Sequence, residues 1–237
     1  MSNGSQHKTG NIGSMFDSIA HRYDFLNHFL SLGIDRYWRR KAVNLISVTH
    51  RNCDILDVAT GTGDIAIAAM KLDPVHITGI DISPKMLERG RQKINKKGLS
   101  EKIDLLSGYS ENMPFDDNRF DVAMVAFGVR NFSDPVKGLV EMYRVLGRGG
   151  LIMVLEFSKP DKFPLEQFYG FYFLRILPLI GRIFSGDRKA YNYLPESVHK
   201  FPDREQFLEL LSNAGFSGLK YKRLTGGIVS VYTGLKF

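Results

Sequence analysis

The stretch ILDVATGTGDIAIA, residues 55–68, places a glycine-rich loop between a hydrophobic run and a helical pattern. The run CDILDVA (53–59) predicts a buried strand, and DIAIAAMKL (64–72) predicts a helix. A second hydrophobic run, VHITGID (75–81), follows. Strand, helix and strand in this order form a βαβ unit, so the stretch predicts a parallel sheet whose first turn binds something polar.

The same alternation continues to residue 157. A helix is expected to begin after the capping residue Ser83, with Pro84 at its first position, and to run through Lys97 until Gly98 ends it. Three more strands are expected, at KIDLLSG (102–108), FDVAMVAF (120–127) and GLIMVLEF (150–157). One more helix is expected at DPVKGLVEMYRVL (134–146). Because each parallel connection needs a crossover, the pattern predicts a doubly wound α/β fold with helices on both faces of a mostly parallel sheet.

The C-terminal part follows a different pattern. An aromatic, helical segment (163–184) precedes a helix at 203–215 and two β-like runs, FSGLKYKRL (216–224) and GGIVSVYTGLKF (226–237). So short a link as Thr225-Gly226-Gly227 cannot cross over, so these runs must form an antiparallel hairpin. The expected sheet therefore has seven strands, and its edge hairpin distinguishes it from an ordinary dinucleotide-binding fold.

Length and composition indicate one domain, residues 1–237, with 43% hydrophobic and 24% charged residues. Within it we expect a flexible stretch (1–12), an N-terminal helical segment (13–49) and a cap insertion (160–200). The chain has no membrane-spanning run and no secretory signal pattern, so a cytoplasmic protein is expected. The single cysteine, Cys53, is read as a buried hydrophobe, and no metal site is expected.

The net charge of +7 would suit nucleic acid, an anionic membrane surface or a small acidic ligand. The basic residues are scattered, and no nucleic-acid-binding module is present, so we expect no nucleic acid partner. Steep salt dependence of binding would instead favour a protein that acts on nucleic acid.

The glycine loop fits two cofactors. Gly61, Gly63 and Ala66 match G-x-G-x-x-A, which is typical of dinucleotide binding. Asp57, four residues before Gly61, favours S-adenosylmethionine, because a carboxylate there suits a cationic amino group and not a pyrophosphate. Asp81, at the end of the second strand, can accept both ribose hydroxyls of either cofactor. The structural alternatives are a loop-capping role for Asp57 and a helix-capping role for Asp81.

Four segments carry a family resemblance: FDSIAHRYDFLNHFLSLGIDRYWRR (16–40), DVATGTGD (57–64), FGVRNFSDP (127–135) and RVLGRGGLIMVLEFSKP (144–160). In them the chain resembles the class I methyltransferases, and among these the ubiquinone/menaquinone biosynthesis C-methyltransferases. It departs from the family pattern at Asp35, where a histidine is expected, and at Gly147-Arg148 and Ala126. The resemblance implies S-adenosylmethionine-dependent methylation of a ring carbon of a polyprenylated quinol. It favours demethylmenaquinol and leaves the equivalent benzoquinol open.

By position, the resemblance implies that Thr60, Asp81, Tyr109 and Ser110 contact the cofactor. The segment AFGVRN (126–131) ends a predicted strand with a permanent cation and an amide. A ring carbon becomes nucleophilic when a neighbouring hydroxyl loses its proton, so Arg130 is expected to stabilise the phenolate and Asn131 to orient an oxygen. The alternative is that Arg130 pairs with a surface carboxylate.

The base that removes this proton is left open among Tyr23, Asp24, His21 and a water held by Asn131. Residues 163–184 carry seven Phe or Tyr residues, and they either pack as a cap or also line a groove for the prenyl tail and touch the bilayer.

Trp38 with Arg36, Arg39 and Arg40 would add interfacial contact, unless Trp38 belongs to the core. A homodimer is a further option. The rival functions are an NAD(P)-dependent oxidoreductase, a nucleic-acid methyltransferase and a non-enzymatic quinone-binding protein.

Overall fold

The structure is a computed structural model that describes residues 12–24, 28, 31, 33–47, 49–161, 163–171, 175 and 195–237. Residues 1–11, which were expected to be flexible, and most of the expected cap insertion (160–200) lie outside the described residues. Ile12 is described, and it is buried at the start of a helix that runs over 12–19.

Seven strands form one sheet, as the hydrophobic runs predict. They are β1 (Asp54–Val58), β2 (His76–Asp81), β3 (Ile103–Ser107), β4 (Phe120–Ala126), β5 (Leu146–Phe157), β6 (Ser217–Leu224) and β7 (Val229–Leu235), in the order β3-β2-β1-β4-β5-β7-β6. The first five are parallel, and β7 is antiparallel to both β5 and β6. The doubly wound fold with an edge hairpin is therefore confirmed. The strand order reverses between β1 and β4, where such sheets leave a crevice for ligands.

The helices with defined bounds are α1 (Ile34–Ile46), α2 (Asp64–Ala69), α3 (Pro84–Lys96), α4 (Pro135–Val145), α5 (Leu165–Phe171) and α6 (Glu205–Asn213). The predicted start of α3 is confirmed, because the Ser83 side chain accepts a hydrogen bond from the Met86 amide and Pro84 occupies the first turn. Asp134 caps α4 in the same way, through the Lys137 amide.

The fifth strand begins earlier than its hydrophobic run indicates. β5 starts at Leu146, not at residue 150, because Leu146 pairs with Phe120 before a register shift. Gly149 has φ +78°, and its amide donates to the Lys236 carbonyl. Gly147, Gly149 and Gly150 therefore lie within the irregular beginning of this strand and not before it.

Trp38 and Arg39 belong to the interior. Trp38 is 4% exposed, and its Nε1 donates to Thr225 Oγ1 at 2.7 Å. Arg39 is buried and bonds to Asp35 and Asp64. The interpretation of these two residues as membrane contacts is therefore wrong, because their polar atoms are satisfied inside the fold. None of the helices in the described part of the chain combines the length and the apolar composition that a membrane span requires.

Candidate functional site

A cavity opens at the carboxyl edge of β1, β2 and β4. Five of the predicted site residues line it: Tyr23, Gly61, Asp81, Ser110 and Asn131. Other lining residues were not predicted as site residues, and they include Ile12, Phe16, Ile82, Met86, Glu111, Phe132 and Ser133. The cavity therefore joins the predicted cofactor loop to the predicted substrate end of β4.

The glycine loop has the backbone that its sequence predicts. Gly61 has φ +56° and Gly63 has φ +78°, in the left-handed region that favours glycine. Gly128, at the tip of β4, is needed for another reason. A Cβ there would lie 2.7 Å from Ala59 Cβ and 2.9 Å from Val125 Cγ2, so glycine lets the strand tip pack on the loop.

Asp81 is held in one orientation by two backbone amides. Gly61 N donates to its Oδ2 at 2.8 Å, and Ser83 N donates to its Oδ1 at 2.9 Å. Burial raises the pKa of this carboxyl, and the two amides oppose that effect. Each oxygen keeps a second lone pair, so Asp81 can anchor the loop and still accept hydrogen bonds from two ribose hydroxyls.

Asp57 lies behind the cavity wall. Its side chain is fully buried, and Thr60 Oγ1 donates to its Oδ2 at 2.5 Å. Its Oδ1 makes no hydrogen bond within the described part of the chain, and burial raises the pKa of the carboxyl to about 7. Asp57, Thr60 and Gly63 are not among the cavity-lining residues, so the loop-capping alternative describes what Asp57 does in this structure.

The N-terminal segment forms one wall of the cavity. Asp17 Oδ1 accepts from Ser83 Oγ at 2.5 Å, and Asp24 accepts from Thr62 Oγ1 at 2.5 Å. Asp24 also forms an ion pair with Lys93 at 2.5 Å. Of the side chains considered as bases, Tyr23 lines this cavity and Asp24 is engaged in that pair. His21 is exposed and borders a different, outer depression.

Of the three residues that follow β3, Gly108 and Ser110 line the cavity and Tyr109 does not. Ser110 lines the cavity and donates to Glu111 Oε2 at 2.9 Å, and Glu111 Oε1 accepts from Ser133 N at 2.7 Å. Tyr109 is 57% exposed and is not among the cavity-lining residues, so the structure does not bring it to the other predicted contacts.

Arg130 lies in a 3₁₀ turn, Val129–Asn131, after β4 and does not line this cavity. Its Nη1 donates to the Phe127 carbonyl and to Glu156 Oε1, both at 2.6 Å, and its guanidinium lies over the Phe157 ring. Pairing with a carboxylate was the structural alternative, and the structure adopts it with a buried carboxylate, not a surface one. Glu156 was missed, although an acid inside the run LIMVLEF is a detectable signal.

One cluster has the composition of a metal site but is already bound by cations. Ligand atoms of His28, Asp35 and Asp64 lie within 4.8 Å of one another. Arg39 bonds to both carboxylates, and Lys93 binds Asp64 at 2.7 Å. Burial raises the pKa values of Asp35 and Asp64, but these cations outweigh it and hold both below the ordinary value. The cluster therefore joins α1 to the glycine loop.

The cavity fits S-adenosylmethionine. Gly61 and Asp81 both line it and are hydrogen-bonded to each other, Ser110 adds a hydroxyl, and Ile82 and Met86 supply apolar surface for a planar base. This donor and acceptor set suits an adenosyl group with a cationic amino acid end.

Comparison with known proteins agrees with this geometry. The model of the ubiE/COQ5 methyltransferase family matches residues 3–236. The chain is 48% identical over 230 residues to a demethylmenaquinone methyltransferase of Bacteroides fragilis, covering 97% of this chain and 94% of that protein. It is 49% identical over 227 residues to a ubiquinone/menaquinone biosynthesis C-methyltransferase UbiE of a Geobacter species, covering 95% and 96%.

Solved structures agree on the fold alone. A SAM-dependent methyltransferase from Thermotoga maritima superposes with a TM-score of 0.69 at 20% identity, over 95% of this chain and all of that one. The [4+2]-cyclase SpnF superposes with a TM-score of 0.71 at 20% identity, over 96% of both chains. Because a cyclase shares the fold, the chemistry rests on the closer relatives. With the family match and these relatives spanning nearly its whole length, the chain belongs to the ubiE/COQ5 methyltransferase family.

Proposed function

We propose that this protein transfers a methyl group from S-adenosylmethionine to a ring carbon of a prenylated quinol, and that the quinol is demethylmenaquinol. The observation that carries the proposal is the full-length similarity, at 48% identity, to a protein named for that reaction. The cavity supports it, since cofactor-type residues and the tip of β4 share one space. The broader name of the Geobacter relative keeps the equivalent benzoquinol as the second candidate.

Gly61, Asp81 and Ser110 would hold the cofactor at the cavity, with Asp57 and Thr60 supporting the loop from behind. Asp81 is already oriented by the Gly61 and Ser83 amides, so a ribose meets a fixed acceptor. When bound, S-adenosylmethionine supplies an electrophilic methyl group. Positioning and exclusion of water are then the main tasks of the protein.

The ring would be activated at the tip of β4. Arg130 carries a permanent positive charge that favours the ionised hydroxyl, and Asn131 lines the cavity and can orient an oxygen. Tyr23, on the N-terminal wall, is the proposed third contact with the ring. Arg130 already donates through Nη1 to Glu156, so its stabilising effect on a quinolate would come from its other nitrogens.

The prenyl tail would leave the site along the cap, where apolar rings are exposed. Phe163, just before α5, is 79% exposed, and Phe171, the last residue of α5, is 60% exposed. We propose that this face touches the inner surface of the cell membrane while the protein stays cytoplasmic. Flotation with anionic vesicles, compared between wild type and a Phe163→Ser, Phe171→Ser double variant, tests this, and equal flotation would contradict it. Homodimer formation remains a prediction, to be tested by sedimentation.

The proposed function is tested by competing two reduced acceptors. Purified protein is incubated with labelled S-adenosylmethionine, prenylated demethylnaphthoquinol and the matched benzoquinol, and the products are separated by mass spectrometry. We expect methylation of the naphthoquinol to dominate. Preference for the benzoquinol would select the second candidate, and methylation of neither would refute the proposal.

A further inference from the structure

Glu156 lies next to the last residue of β5, and its side chain is fully buried. Its Oε1 accepts hydrogen bonds from Arg130 Nη1 at 2.6 Å and from the Phe157 amide at 2.8 Å. A buried ion pair requires both ions to lose their water, and replacing it with apolar residues is often neutral or stabilising. A contribution to stability therefore does not explain why this ion pair is buried here, and another explanation is needed.

Each partner of this pair retains one unsatisfied polar atom. Arg130 Nε and Glu156 Oε2 are buried and make no hydrogen bond of normal geometry with the described residues. Buried polar groups are otherwise nearly always paired, so two such atoms in one ion pair indicate a ligand. One atom is a donor and the other an acceptor. A hydroxyl group satisfies both, because its oxygen accepts and its proton is donated.

We propose that Glu156 is a catalytic residue, the proton acceptor for the ring hydroxyl of the substrate, which lies between Arg130 Nε and Glu156 Oε2. This assignment rests on the proposed function, since it requires a quinol at the tip of β4. Glu156 is a candidate base in addition to Tyr23, Asp24 and His21, and it differs from them because it is paired directly with Arg130.

The step balances in protons and electrons. The hydroxyl proton moves to Glu156 Oε2, and the electron pair of the broken O–H bond delocalises into the ring. The ring carbon bonds to the methyl carbon of S-adenosylmethionine while the S–CH₃ bond breaks and leaves its electron pair on sulfur. The hydrogen on that ring carbon then departs to water as a proton, and Glu156 returns its proton to the ring oxygen.

Proton transfer within this cluster leaves the number of buried charges unchanged. Before transfer the charges are Arg130 and the Glu156 carboxylate, and afterwards they are Arg130 and the quinolate. An isolated charge, which would be costly in a dry site, therefore never forms. The transfer also leaves the cation beside the new anion, where it stabilises the state that attacks the methyl group.

The surroundings favour a basic carboxylate. Burial raises the pKa of Glu156, opposed by the Arg130 charge and by the Phe157 and Arg130 amides. Tyr169 of α5 and Tyr232 of β7 are the other titratable groups that interact with it, and Asp203 acts on both phenols. Burial raises the pKa of Tyr232 to about 12 and that of Tyr169 further, so neither phenol ionises near neutral pH.

The test is Glu156→Gln in the full-length protein with S-adenosylmethionine and demethylmenaquinol under reducing conditions. Glutamine can still accept from Arg130 but cannot take a proton, so kcat should fall on the order of 10²-fold or more. The S-adenosylmethionine Kd should stay unchanged, whereas the melting temperature should fall because the buried Arg130 charge loses its partner, so kcat is measured well below the melting temperature of the variant. The matched control is Glu141→Gln, which alters another arginine-paired glutamate, 2.8 Å from Arg144 Nε, and should keep the wild-type rate.

A more acidic substrate separates proton transfer from simple positioning of Arg130. A halogenated quinol with a more acidic hydroxyl should shrink the Glu156→Gln deficit, and raising the pH should shrink it too, because less proton removal is needed. A deficit that ignores both pH and ring acidity would overturn the assignment, as would a variant within about threefold of wild type, since general base catalysis contributes at least about 10²-fold.

If Glu156→Gln does not fold, the proton transfer to Glu156 can be tested in the wild-type protein instead. An acidic naphthol bound with S-adenosylhomocysteine should add a protonated carboxyl band to the infrared difference spectrum, and its absence would overturn the assignment. Failure of the wild type to methylate either quinol would refute the proposed function itself. A working wild type beside an unimpaired variant would refute only the role of Glu156.

Discussion

Replacing Asp57 with asparagine tests whether burial raises the pKa of this carboxyl, behind the glycine loop, and so makes its ionised form destabilise the fold. The side chain is fully buried, and burial raises its pKa from 3.8 to about 7. Between these two pH values the native state binds the proton and the unfolded chain does not. The free energy of unfolding therefore falls as pH rises through this window, by 1.36 kcal/mol per unit of pKa shift. A shift of about three units corresponds to a loss of up to about 4 kcal/mol.

The Asp57→Asn variant cannot ionise, so it lacks this loss, and its amide oxygen can still accept from Thr60 Oγ1. Urea unfolding of both proteins from pH 4 to pH 8 isolates the effect, because other titrating groups cancel in the difference. We expect the variant to gain stability relative to wild type by up to about 4 kcal/mol across this range. A difference that stays flat within about 0.5 kcal/mol, the usual error of such comparisons, would show that Asp57 ionises at its ordinary pKa and that the reasoning is wrong.

Three further predictions concern the cofactor, the strand tip and the redox state of the ring. Asp81→Ala should weaken S-adenosylmethionine binding by about 1.5 to 3 kcal/mol through lost hydrogen bonds to a charged acceptor, and unchanged calorimetric affinity would place the ribose elsewhere. Arg130→Lys keeps a cation beside Glu156, so the melting temperature and the cofactor affinity should not change, while kcat falls on the order of 10²-fold. A wild-type kcat in this variant would show that Arg130 has only a structural role. Arg130→Ala is a poorer test, because an unpaired buried Glu156 costs about 3 to 5 kcal/mol. Activity should require a reductant, since a quinone is itself electrophilic, and equal rates under oxidising and reducing conditions, verified spectroscopically, would contradict this.

The sheet could be predicted from the sequence because its signals are local. Hydrophobic runs bounded by glycine or proline located the strands, and the link at residues 225–227 was too short for anything but a hairpin. Asp81 was identified because the carboxyl ends of parallel strands meet at one edge, which fixed its place before any contact was known. The start of β5 was misplaced because Leu146 pairs with β4 ahead of a register shift, which the hydrophobic run beginning at residue 150 does not indicate.

The depth of each site residue could not be predicted. Asp57 and Asp81 both follow hydrophobic runs, yet Asp57 faces Thr60 behind the cavity and Asp81 faces the cavity. The partner of Arg130 lies 26 residues away on a neighbouring strand, a pairing that no local pattern encodes. The N-terminal wall depends on Asp17 reaching Ser83 across 66 residues. Such contacts are set by tertiary packing.

The measurement that tests the central claim most directly is the position of the transferred methyl group. Wild-type protein is given ¹³C-methyl-labelled S-adenosylmethionine and reduced demethylmenaquinol, and the product is examined by ¹³C NMR. We predict a signal for a methyl group on a ring carbon, because the proposed function has a quinolate attack the methyl group through its ring carbon. A methoxy signal from a methylated hydroxyl oxygen, or no labelled product, would contradict the account.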